Sequence, residues 1–91
     1  MKEEITAYAE FDFGKAISLL KDGAKVARKG WNGKGMWLKL VQKGYFDVGA
    51  SIVENGSNLL PWIGMKTADN SFVPWLASQT DVLAEDWIEI H

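Results

Sequence analysis

The chain has no cysteine, one histidine and two prolines. Without cysteine there is no disulfide, no thiol nucleophile and no thiolate metal ligand, which fits a reducing compartment. The only histidine is His91, the last residue of the sequence, where chain ends fray. No His/Cys spacing for a metal is therefore available, and no cofactor or metal is expected. No run approaches 18 apolar residues, so no membrane span is expected. The opening stretch MKEEITAYAEFDF lacks the apolar run of a signal peptide.

What is present is an aromatic surplus and an uneven charge pattern. Five tryptophans occur in 91 residues, four of them in two stretches, Ala27–Trp37 (ARKGWNGKGMW) and Met65–Trp87 (MKTADNSFVPWLASQTDVLAEDW). Both stretches are rich in turn residues and poor in bulky aliphatics. Loops that use tryptophan, arginine and asparagine in this way commonly contact a ligand or a partner. The net charge is −2, yet residues 15–43 carry +7, the first fourteen −3 and the remainder −6. A small basic zone on an acidic protein suits one compact anion. It is a poor nucleic-acid surface, because acidic neighbours repel a polyphosphate backbone.

With no internal repeat, residues 1–91 are expected to form a single domain. A chain of this size buries only roughly 60–65% of its unfolded surface. Self-association would add buried apolar area, and the aromatic surplus is consistent with an interface.

The pattern predicts an α+β fold. Asp12 caps a short amphipathic helix that starts near Phe13, carries Ala16, Ile17, Leu19 and Leu20, and stops at Gly23. Lys25–Trp31 reads as a strand, Asn32-Gly33 as a tight type I′ turn, and Met36–Val41 as the return strand. Tyr45, Phe46 and Val48, and Ser51–Val53, are weaker strand candidates within a long surface excursion. Trp62–Thr67 and Phe72–Trp75 form a second pair about an Asp69-Asn70 turn, with Pro74 requiring an edge position. Ser78 or Thr80 caps a short second helix, and Trp87–Ile90 closes a mostly antiparallel sheet.

Catalytic groups are scarce. Asp81 and Glu85, one helical turn apart, are read as a solvated face, and Glu85-Asp86 as surface charge. GWNGKG lacks the spacing and the Ser/Thr of a phosphate loop. Trp37 and Trp87 read as core and Trp62 as core or interface. Trp31 and Trp75 read as ligand or subunit contacts.

The joined segments RKGWNGKGM and VPWLASQTDVLAEDW resemble the phage Thoeris anti-defence proteins of the second type, from about Phe11 to Ile90. The resemblance implies a non-catalytic sponge in the cytoplasm of the infected bacterial host. Such a protein binds the cyclic ADP-ribose isomer (glycocyclic ADP-ribose) made by Thoeris TIR enzymes and leaves it uncleaved. It implies a homotetramer with pockets between subunits and, in some relatives, a separate site for cyclic dinucleotides. On chemical grounds Trp31 or Trp75 would stack the adenine, and Arg28 with Lys34 would pair with the diphosphate. Asn32, Gln79, Thr80 and Asp81 would read ribose hydroxyls or the base edge. A messenger hydrolase, a module that binds a defence enzyme directly, and a sugar-binding domain are the competing readings.

Overall fold

A computed structural model describes residues 9–42 and 57–91. The strand candidates at Tyr45–Val48 and Ser51–Val53, a turn expected from the Asn55-Gly56 dipeptide, and Lys43 of the basic zone lie outside them. The described residues form an α+β unit: helix α1 (Phe13–Lys21), strands β1 (Lys25–Arg28), β2 (Trp37–Val41), β3 (Trp62–Lys66) and β4 (Phe72–Pro74), helix α2 (Gln79–Leu83) and strand β5 (Trp87–Ile90). The five strands make one antiparallel sheet in the order β4-β3-β2-β1-β5.

Local chemistry sets the boundaries. The Asp12 carboxylate accepts the Lys15 N–H at 2.9 Å and caps α1. Gly23 follows the helix with φ 92°, a conformation that costs glycine little. Ser78 caps α2 through a capping box with Asp81. Pro74, without an N–H, falls on edge strand β4 as expected.

The β1–β2 connection differs from the expected type I′ hairpin. β1 ends at Arg28, and Lys29–Lys34 winds as a 3-10 helix through Asn32 and Gly33. The Lys29 N–H donates to the Asp86 carbonyl at 2.9 Å, so the end of β1 is tied to the chain leading into β5. That tertiary bond overrides the local preference of Asn-Gly. Asp81 and Glu85 also part company, because α2 stops at Leu83 and Glu85 lies outside it.

Register assigns each side chain to a face. Val26 pairs with Leu38, Leu38 with Met65, Leu40 with Ile63 and Arg28 with Trp87, and these residues face α1. The core there is Ala16, Leu20, Val26, Leu38 and Trp87, each at most 1% exposed. The opposite face carries Lys25, Ala27, Trp37, Lys39, Val41, Trp62, Gly64, Lys66, Phe72, Ile88 and Ile90.

Gly64 has a specific role on that second face. A Cβ at this position would overlap the Phe72 ring and crowd Trp62, so glycine lets the phenylalanine lie against the sheet backbone. Gly64→Ala is expected to destabilise the protein by about 1–3 kcal/mol. Phe72→Ala in the same chain should recover most of that loss, which a double-mutant cycle of thermal denaturation would measure.

Candidate functional site

The two tryptophan-bearing stretches fold against each other. Trp87, fully buried, is the hub. Its ring centroid lies 5.3 Å from Phe13, 5.5 Å from Trp31 and 6.0 Å from Trp75, and both Trp contacts are edge-to-face. Trp31 and Trp75 also meet edge-on at 6.3 Å. These arrangements suit the ring quadrupoles. The Trp87 indole N–H donates to the Asp81 carbonyl at 2.9 Å, so the polar end of the buried ring is satisfied. Trp31 and Trp75 are half-buried beside this core, each leaving part of a ring at the surface.

Arg28 stands next to the cluster at the end of β1. Its Nε donates to Asp86 Oδ1 at 2.9 Å and its Nη1 to Asp81 Oδ1 at 3.2 Å. The other Asp81 oxygen accepts the Ser78 N–H at 3.1 Å and the Ser78 hydroxyl at 2.8 Å. The Asp86 hydrogen bond, then Asp81, raise the Arg28 pKa above its ordinary value against the opposing effect of burial. Burial pushes the Asp81 carboxyl upward, but the Ser78 bonds and the Arg28 guanidinium outweigh it and hold the group below the usual carboxylate range. Side-chain exposures are 27% for Arg28, 15% for Asp81 and 34% for Asp86. Solvent screening at these exposures keeps each pair to about 1 kcal/mol or less.

This geometry redistributes the expected roles. Arg28 and Asp81 are joined in one network, with Trp31 and Trp75 beside it. Asp86, read from sequence as surface charge, is a direct partner of Arg28. Its signal was available only as its place five residues after Asp81, across the end of a helix too short to hold both. Arg28 meets two carboxylates, so the cluster sums to a negative charge. Gln79 and Thr80 sit exposed in the first turn of α2, and the Thr80 hydroxyl lies 2.8 Å from that of Ser78. Lys34 ends the 3-10 helix, exposed to solvent, and Asn32 lies within it.

Three lysines of the sheet have neutral partners. Lys39 Nζ donates to the Gly23 carbonyl at 2.9 Å, Lys66 Nζ to the Gly35 carbonyl at 3.0 Å, and Lys25 Nζ lies 4.5 Å from the Trp37 ring centroid. Lys29 instead pairs with Glu10 at 2.9 Å. A concavity of about 310 Å³ is lined by Lys39, Leu40, Val41, Gln42 and Phe72, at the end of β2, and includes neither Trp31 nor Trp75. Among the described residues no group of three or more His, Cys, Asp or Glu can hold a metal ion, and no helix is long and apolar enough to cross a membrane.

Asp81 gives a pH prediction. Its carboxyl is depressed in the folded chain, so its contribution to stability is complete above the unfolded value of about 3.9 and is lost as pH falls through the lower folded value. Asp81→Asn should flatten that acid limb of the stability curve and lower stability at neutral pH by about 1–3 kcal/mol. Chemical denaturation at a series of pH values would check both effects.

The Tad2-like family, described as the Thoeris anti-defense 2-like domain, matches residues 11–90. The chain is also 44% identical over 82 residues to Thoeris anti-defense 2 of Bacillus phage SP01, covering 86% of this chain and 92% of that protein. The match spans both tryptophan-bearing stretches and every element from Phe11 to Ile90, and the chain belongs to the Thoeris anti-defense 2-like family.

Proposed function

We propose that this chain silences Thoeris defence by binding a cyclic ADP-ribose isomer and withholding it, without cleaving it, in the cytoplasm of the infected host. The observation that carries the reading is the joining of the two family-bearing stretches into one braced surface, by Arg28 between Asp81 and Asp86 and by the Trp31–Trp75–Trp87 contacts. The available side chains favour holding over cutting. The sequence offers no thiol nucleophile and a single histidine.

On this surface Trp31 and Trp75 offer ring area to the adenine. Gln79, Thr80 and Asp81 offer polar groups to the riboses, a role proposed also for Asn32 from its chemistry. Arg28 and Lys34 are its cations, although the Arg28 fork is already shared between two carboxylates. A sponge must hold its ligand near nanomolar, about −12 kcal/mol. A base stack contributes about 1–3 kcal/mol and a charge-assisted hydrogen bond about 1.5–3. A few such contacts reach that range only if little ordering cost is subtracted, which is what a braced surface provides.

Assembly as a homotetramer belongs to the same proposal. Leu76 and Leu83 stand 92% and 75% exposed around α2, apolar surface that a neighbouring subunit would bury.

The test is a binding and recovery experiment. Protein mixed with glycocyclic ADP-ribose should deplete the free messenger, and heat denaturation should return it intact by mass spectrometry. Trp31→Ala should weaken binding at least about tenfold, the loss of one stack. Recovery of ADP-ribose would instead establish hydrolysis.

A further inference from the structure

The two edges of the sheet are finished differently. On the β5 side Phe11 exchanges both backbone hydrogen bonds with Trp87, and Glu89 places a charge in the strand. On the β4 side, among the described residues, no strand or bridge pairs with the outer flank. Phe72, Val73 and Pro74 are all exposed, Phe72 at 47% and Val73 at 39%. No charged residue occurs from Asn70 to Thr80, so this edge carries none of the charges that commonly keep strands apart. Leu76, just beyond the strand, is 92% exposed.

The register decides which backbone groups the edge offers. Trp75 donates its N–H to the Ile63 carbonyl at 2.9 Å, and Thr67 donates to the Ser71 carbonyl at 2.8 Å. Hydrogen-bonded pairs alternate along an antiparallel ladder, so Val73 bonds inward to Met65. The backbone groups of Phe72 and Pro74 therefore point outward. They amount to one donor, the Phe72 N–H, and two acceptors, the Phe72 and Pro74 carbonyls, because proline has no N–H.

A three-residue edge with a proline is blunt toward an arbitrary strand, yet it complements itself. A two-fold axis beside Val73 sets Phe72 of each copy opposite Pro74 of the other. Each Phe72 N–H then meets a Pro74 carbonyl, and no bond in that register calls on the donor that proline lacks except the one left open to each Phe72 carbonyl. The Phe72 rings lie beside the opposing prolines on one face, the two Val73 side chains meet across the axis, and no like charges are brought together. We infer that β4 is a subunit interface, pairing antiparallel with β4 of a second copy so that two sheets become one. Specific interfaces bury at least about 1,000 Å², so two hydrogen bonds do not suffice and the exposed Phe72, Val73 and Leu76 side chains join the contact. The inference rests on the assembly reading, and it names one of the contacts that a homotetramer requires.

The experiment combines light scattering with residue-resolved amide exchange on the full chain. In the wild-type assembly the Phe72 amide should exchange at least about tenfold more slowly than an unstructured amide, since it gains a partner only across the interface. Val73→Lys sets two like charges against each other at the axis and should halve the assembled mass and release the Phe72 amide. Val73→Thr, β-branched and uncharged, should leave both unchanged. The Trp87 amide, bonded to Phe11, should stay protected in every variant, which shows that the fold is intact. If the Phe72 amide of the wild-type assembly exchanges freely, or folded Val73→Lys keeps the wild-type mass, the interface lies elsewhere while the assembly reading stands. A wild type that scatters as a monomer overturns both.

Discussion

One buried indole organises the helix side of this protein. Trp87 touches Phe13 from α1, Trp31 from the β1–β2 connection and Trp75 from the segment after β4, and its N–H is fixed by the Asp81 carbonyl in α2. Removing a buried tryptophan costs about 3–5 kcal/mol, whereas each Arg28 ion pair contributes about 1 or less at its exposure. The two interactions therefore have different work. Trp87 supplies stability, and Arg28, gripped from two sides, sets where the surrounding loops lie. Phe11 adds a last constraint by exchanging both backbone hydrogen bonds with Trp87, at 2.9 and 3.1 Å.

A consequence is that much of the unusual sequence has a structural purpose before any ligand is considered. Arg28, Trp31, Trp75, Asp81, Asp86 and Trp87 recognise one another. A surface built in this way is stiff, and the proposed sequestration would draw on that stiffness, since few contacts reach high affinity only when little ordering cost is subtracted. Charge is divided along with the work. Carboxylates gather at the Arg28 end, while three lysines with neutral partners share the far face of the sheet with Trp37, Trp62 and Phe72.

The architecture was legible in the sequence because its signals are local. Asp12, Gly23, Ser78 and Pro74 each act within a few residues, and each marks the boundary or edge it was expected to mark. The alternation of Leu38 and Leu40 against Trp37, Lys39 and Val41 is equally local, since a two-residue period along a strand sets its faces. The connection after β1 was not legible. Asn32-Gly33 carries a strong hairpin preference, but Lys29 is bound to Asp86, 57 positions later, and that contact decides the backbone. The same distance hid the Arg28–Asp86 pair. Phe72 gave no signal either, because its position depends on the absence of a side chain at Gly64 on the neighbouring strand.

The proposal joined to this family and fold is one physical claim: a small, braced protein holds a phosphorylated ring and leaves its bonds intact. A crystal structure of the protein with glycocyclic ADP-ribose tests this most directly. The account predicts an uncleaved ring stacked on Trp31 or Trp75 of the braced surface. A cleaved product in the site would contradict the claim, and so would a ring bound away from Trp31 and Trp75.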